Sequence, residues 1–390
     1  MPTRPIPIII SGPSCAGKST VAKALEKAGN YTTVKAITTR ARRKDDFNYT
    51  NVKVEKFKKF EEDNQLLVST TYLGQYYGIL KNEYDKIKLT KHPILILTPE
   101  SADNLISKNG FEAIWFFIDA DEKLLQERHK VRGGYDERKI KTTEKQNAVD
   151  RKYAPKASYV LKSKEDNLDS ITQLIIALVD AANIGGGLSH DIIKLMIDCG
   201  MLLDNADKKG VKGASYDLLL GDEYYYDGKI KRLTDSSSFL TIEPYDYAIV
   251  SCKERARIPR DIIGKFGLTV GLFCQGIILS NGPQIDPGFN GTLFCLLFNT
   301  SNQAVHLKRG MHYATIEFNK LIKPAPPYEG SYQEKTKIID YIPANALHGA
   351  INELKKEIEQ LKKESKLMQN IYLAVVGILF AILSILLVLR

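Results

Sequence analysis

The sequence predicts a multidomain chain: an α/β domain built on a phosphate-binding loop, an all-β barrel or sandwich, then a short coiled coil and one transmembrane helix. Three observations predict it. Short apolar runs alternate with amphipathic stretches through the first 183 residues. From residue 215 the texture changes to closely spaced short strands, and residues 371–389 carry no charge at all.

Apolar runs at 8–10, 66–68, 94–97 and 114–118 are bounded by turn or polar residues and read as buried strands. Helical spacing follows at 18–27, 101–107, 122–130 and 169–182. That alternation argues for a parallel sheet wrapped by helices, placed at 1–183. Asn183 and the Ile-Gly-Gly-Gly after it mark a flexible boundary, with a linker over 184–188. The second domain, 189–335, opens on a helix over 191–199 and continues as strands broken by Gly, Pro, Asn and Asp.

A Pro-rich exit, "KPAPPYEGSYQEK", leads towards the segment 347–370. There Ile351, Leu354, Ile358, Leu361, Ser365 and Met368, with Tyr372 beyond, fall at alternating three- and four-residue steps. This is a coiled-coil seam or one face of a solvated spacer helix. At ~1.5 Å per residue, the uncharged stretch after it spans most of a ~30 Å hydrocarbon core. Its lysine-rich flank predicts a single-pass tail anchor with the bulk of the protein in the cytosol.

A net charge of +9 fits phosphate-bearing ligands, an anionic membrane face or simply a solvated surface. No basic run is interleaved with stacking aromatics, so no nucleic-acid partner is expected. The five cysteines are odd in number and form no CxxC, which indicates neither a disulfide framework nor a zinc site and fits a reducing cytosol. The apolar part of "MPTRPIPIII" is too short for a signal peptide. His306, His312 and His348 have no partnered spacing and read as surface or packing residues.

"SGPSCAGKST" meets GxxxxGK[ST] in full, after a strand and opening a helix. Glycines let backbone N–H groups close around phosphates, and the helix N-terminus adds partial positive charge. The nucleotide set is Gly12, Ser14, Ala16, Gly17, Lys18, Ser19 and Thr20. ATP is the expected donor, Lys18 neutralises the transferred charge, and the Ser19 hydroxyl is the expected Mg2+ ligand.

Together with "TTRARRKDDFNYTNV", "FKKFEEDNQLLVSTTYLGQYYGI" and "RGGYD", this loop resembles a guanylate kinase, a nucleoside-monophosphate kinase fold, over nearly all of the first 180 residues. The resemblance implies that Arg40, Arg43, Tyr49 and Tyr77 grip the acceptor phosphate, as two guanidinium groups and two phenols are suited to do. It also implies that Arg128 and Arg132 act with Lys18 on the transferring group. The family's guanine-reading Glu and its Ser or Thr are replaced by Val68 and Ile79, and "ILILTPES" lacks the family's strand-end carboxylate. The loop between Arg43 and Tyr49 is shortened. Guanine donors left unpaired cost ~1–3 kcal/mol each. Either the acceptor is another phosphorylated compound, or the domain binds without catalysing.

"ASYDLLLGDEYYY", "QIDPGFNGTLFCLLFN", "HLKRGMHYATIEF" and "YEGSYQ" resemble the dCTP deaminase and dUTPase family from about Leu188 to Gln333. The resemblance implies a homotrimer with nucleotide sites between subunits, whereas Ile then Leu along the seam favours two strands. Deamination without zinc needs a carboxylate to shuttle protons, and Leu296 stands at that position. The triphosphate grip reads Thr269-Val270-Gly271, and the family's late Gln is Thr315. Asp286, Phe289 and Tyr332 are the remaining nucleotide-site candidates. Asp286 either holds a water or forms the Asp-Pro-Gly turn. The sequence therefore predicts an ATP-dependent phosphotransferase joined to a nucleotide-binding domain without deaminase activity. A membrane-tethered nucleotide sensor is the alternative.

Overall fold

Ile8, Ile9 and Ile10 are completely buried, because their strand lies in the middle of a sheet covered on both faces. Ile8 and Ile10 belong to one apolar cluster and Ile9 to another, as alternation along a strand requires. The computed structural model describes residues 5–42, 48–72, 74–133, 137–182, 184–234, 238–280, 282, 284–342 and 350–388, with backbone alone for 132–133, 137–140, 350–355 and 385–388.

The first domain runs β1 (Ile8–Ser11), α1 (Lys18–Lys27), β2 (Tyr31–Thr33), β3 (Ala36–Thr38), β4 (Tyr49–Asn51), α2 (Val54–Glu62), β5 (Leu66–Tyr72) and β6 (Gln75–Leu80). It continues with α3 (Lys81–Asp85), β7 (His92–Ile96), α4 (Pro99–Asp103), β8 (Ile114–Asp119), α5 (Glu122–Gly133), α6 (Glu137–Arg151), β9 (Tyr159–Lys162) and α7 (Leu168–Asp180). Strands in the order β2-β7-β1-β8-β9 pair in parallel throughout. In such a sheet the loop after the central strand opens at the carboxyl edge, where ligands bind.

Three readings of the sequence change here. The apolar run at 66–68 does not join the parallel sheet; it begins β5 in a separate four-stranded sheet, ordered β4-β3-β6-β5. The helix expected over 101–107 starts earlier, at Pro99, whose fixed φ suits a first helical position, and passes into a π turn over Asn104–Lys108. Helix α6 was not foreseen, because "ERKIKTTEKQNAVDR" has no apolar stripe to announce it.

The second domain consists of β10 (Gly186–Gly187), α8 (His190–Asp198), β11 (Leu202–Asp204), β12 (Ser215–Tyr226), β13 (Lys229–Arg232), β14 (Phe239–Ile242), β15 (Tyr247–Arg257) and β16 (Ile262–Leu268). After these come α9 (Val270–Cys274), β17 (Ile277–Ser280), β18 (Asn290–Asn299), β19 (Val305–Lys308) and β20 (His312–Lys320). The strands make a nine-stranded sheet with the path β10-β20-β12-β15-β18-β17 and a two-stranded ribbon, β14-β19. Among its buried polar side chains is Glu254, 1% exposed, which accepts hydrogen bonds from Tyr216 Oη and the Leu219 N–H, both at 3.0 Å.

The glycine-rich segment between the domains is held rather than free. Gly186 and Gly187 pair with Lys320 and Asn319, and the Leu188 N–H donates to Phe318 O at 2.9 Å. One buried cluster runs through both domains, from Leu174 and Leu178 of α7 to Ile193 and Met196 of α8. Tyr159 donates to the Asp261 carboxylate across this seam, and the Lys162 N–H donates to Cys199 O at 2.7 Å.

Beyond the second domain, residues 350–388 form one uninterrupted helix, α10 (Ala350–Val388), with no break where the charged half meets the apolar half. Its segment Lys356–Ser384 is long and apolar enough to cross a membrane. Of the described seam positions, Ile358, Leu361, Met368 and Tyr372 are 45–69% exposed in the single chain.

Candidate active site

The turn out of β1 is shaped by two glycines. Gly12 has φ +135°, and a Cβ there would lie 2.0 Å from Ile118 O, so no side chain fits. Gly17 has φ +99° and precedes α1, whose first turn holds no acidic residue to satisfy its exposed N–H groups. That helix end is therefore left as a positive pole facing the loop. Lys18 Nζ donates back to Gly12 O at 2.7 Å and Pro13 O at 2.6 Å, which holds its charge over the mouth of the loop. Ala16 is buried beneath, and the Ser14 N–H donates to Asn147 Oδ1 at 3.0 Å.

Two cavities open on either side of this loop. One, of about 410 Å³, is lined by Gly17, Thr20, Arg128 and the 163–165 loop. The other, of about 510 Å³, is lined by Gly12, Ser14, Arg40, Tyr49 and Tyr77. Lys18 and Ser19 line both. A donor and an acceptor seated in the two would meet across these side chains.

Arg128 reaches the smaller of these cavities from α5, donating to Ser163 Oγ at 3.1 Å, Lys164 O at 3.2 Å and Cys15 O at 3.4 Å. On the other side the Arg40 guanidinium lies 5.7 Å over the Tyr49 ring, and Tyr49 meets Tyr77 edge-on at 6.0 Å. Three of the four expected phosphate grips are thus together. Arg43 lies outside the described residues, and so does the Arg132 side chain.

The structure adds Thr70, Tyr72 and Gln75, which pattern reading passed over, beside the expected Val68, Ile79 and Tyr77. Along β5, Val68, Thr70 and Tyr72 face the larger cavity, each directly opposite Ile79, Tyr77 and Gln75 of β6. The signal was present as a period-2 alternation continuing beyond residue 68. Helix α6 contributes Thr143 and Asp150 to the same cavity. Asp150 is 4% exposed and accepts from Gln146 Nε2 at 3.0 Å. Burial pushes its carboxyl above the usual range, with Lys18 opposing that push. Tyr72 is also pushed up, by burial and then by Asp150.

Residues 4–182 match the guanylate kinase family and residues 188–321 the dCTP deaminase-like family. A dCTP deaminase of Thermococcus kodakarensis is 40% identical over 134 residues, covering 34% of this chain and 85% of that protein. The dCTP deaminase of Thermococcus gammatolerans is 34% identical, over 36% of this chain and 90% of its own length. A guanylate kinase of Onion yellows phytoplasma is 29% identical over 201 residues, 50% of this chain and 94% of that protein. The chain is a guanylate kinase domain fused to a domain of the dCTP deaminase-like family.

Both cavities above belong to the guanylate kinase domain. In the dCTP deaminase-like domain each candidate residue is engaged with a neighbouring side chain of the same chain. Asp286 Oδ1 accepts from Gln284 Nε2 at 3.1 Å within the turn, and Phe289 meets Tyr328 edge-on at 5.5 Å. Tyr332 stacks on Tyr341 at 5.2 Å, and Tyr341 in turn packs on Phe294 of β18 at 4.2 Å. Gln333 fastens the tail, accepting from the Asn290 N–H and donating to Gly288 O. Leu296 lies on the β18 face opposite the buried Cys295 and Leu297.

Proposed function

We propose that the chain is an ATP-dependent phosphotransferase acting on a nucleoside monophosphate, working in nucleotide metabolism. The observation that carries this reading is the pair of cavities meeting at Lys18 and Ser19. An inert scaffold has no need of a buried carboxylate, a lysine and two arginines around one loop. The donor set suits a magnesium ion: the Ser19 hydroxyl and the Asp150 carboxylate line the same cavity. Bound there, magnesium would neutralise phosphate charge. Lys18 would steady the transferring group, Arg128 would hold the donor side, and Arg40, Tyr49 and Tyr77 would hold the acceptor phosphate.

In this reading the second domain binds nucleotide without deaminating it, because Leu296 supplies no proton carrier. It assembles as a homotrimer, a state supported by the exposed apolar side chains of Val270 and Phe273. The described apolar side chains of α10 between Ile371 and Leu383, such as Phe380 at 73% exposed, are covered by a membrane. The domains stand in the cytosol, and the charged half of α10 pairs in a coiled coil. Domain limits are 1–183 and 189–335.

The test is ADP release by wild type and Lys18→Ala across a panel of monophosphates. Lys18→Ala is expected to lower stimulated release by a factor on the order of 10²–10³, as loss of one transition-state contact does. Equal rates would sink the reading. The apolar wall at Val68 and Ile79 favours a second reading, a nucleotide sensor that binds without turnover. Tight binding with no ADP release from either protein would select it.

A further inference from the structure

The larger cavity is graded along its β5-β6 wall. At one end Val68 and Ile79 oppose each other, 9% and 2% exposed, and Ala36, Ile96 and Leu97 continue the apolar surface. One rung along stand Thr70 and Tyr77, and at the next Tyr72 and Gln75. Ala36 pairs with both Tyr49 and Ile79, so the phosphate-gripping edge at Tyr49 is two strands, ~10 Å, from the apolar end. An acceptor held by its phosphate at Tyr49 and Arg40 would thus present its far end to aliphatic side chains.

We infer that the acceptor is a 5-methylpyrimidine nucleoside 5′-monophosphate, its methyl group packed on Val68 and Ile79; this rests on the phosphotransferase reading above. Guanine offers N1–H and an amine at its far edge, and adenine and cytosine each an amine. Against Val68 and Ile79 those donors lose water and find no acceptor. Thymine instead carries a methyl group at C5 with the O4 acceptor beside it and the N3–H one position farther round the ring, so no donor adjoins the methyl. That arrangement matches a wall that is aliphatic at one end and bears Thr70 and Gln75 farther along.

Calorimetric titration of the full-length chain in detergent micelles, with thymidine, deoxyuridine and deoxyguanosine monophosphates as probes, tests this directly. Thymidine monophosphate is expected to bind about fourfold tighter than deoxyuridine monophosphate, the worth of one buried methyl. It should bind ~10-fold or more tighter than deoxyguanosine monophosphate, whose donors are stranded. Val68→Thr keeps the shape of the wall and should bring thymidine and deoxyuridine monophosphates level. Val68→Glu supplies an acceptor and should shift preference towards deoxyguanosine monophosphate. Equal wild-type affinities, a guanine preference, or no binding of any probe overturns the inference. If the affinities rank as expected but thymidine monophosphate releases no more ADP from wild type than from Lys18→Ala, the acceptor class stands and the phosphotransferase reading falls.

Discussion

The surroundings of Lys18 and those of Asp286 make an instructive contrast. Around Lys18, charged and hydroxylic side chains from α1, α5, α6 and the four-stranded sheet converge on open space. Around Asp286, the comparable side chains meet one another: Phe289 packs on Tyr328, Tyr332 on Tyr341, and Gln333 bonds the turn. Polar and aromatic groups that already hold partners within the chain gain little from a ligand, whereas groups facing a cavity exchange water for it. The first region opens on two cavities, whereas in the single chain the second packs against its own tail.

Three substitutions sharpen or break that contrast. The largest effect is expected at Arg128→Ala, which removes the only described α5 guanidinium bridging the phosphate loop and the 163–165 loop. Phosphoryl transfer should fall by a factor on the order of 10² with little change in melting temperature. An unchanged kcat would show that the cavity's charge is structural. Tyr332→Ala comes next. Loss of a stacked ring should destabilise the second domain by about 1 kcal/mol and leave transfer untouched, read by thermal melts and ADP release. A fall in transfer would show that the tail serves the first domain.

The smallest effect is expected at Glu254. Burial raises its folded-state pKa above the ordinary glutamate value of 4.5, with Tyr216 and the Leu219 N–H opposing. The folded protein therefore holds this proton to higher pH than the unfolded chain does. The carboxyl's unfavourable contribution is absent below the unfolded value and grows as pH rises through the folded one. Glu254→Gln should flatten that decline, so melting curves of the two proteins at pH 5 and pH 8 should shift in the variant's favour as pH rises. Parallel shifts would mean that the carboxyl is not perturbed.

How much of this was legible depended on range. The loop between β1 and α1 could be read outright, because its glycines and following helix act through local backbone geometry. The central strands and the helix at 18–27 were legible from period alone. Helix α6 was not, since a polar helix carries no periodic apolar signal, and with it Asp150 and Asn147 were missed. Tyr72 and Gln75 became site residues only once strand pairing set them opposite each other.

The amino-acid sequence by itself determined a glycine-shaped loop opening a helix, two families of domain and an apolar C-terminal helix, all written in short-range pattern. Tertiary structure alone decided what surrounds that loop. It set Val68 against Ile79 at one end of the larger cavity and brought Asp150 to the same cavity as Lys18 from far along the chain. It also joined the two domains through a single buried seam at Tyr159 and Asp261. Such placements depend on which strands pair and which helices pack, and those choices are made by the whole core rather than by neighbouring residues.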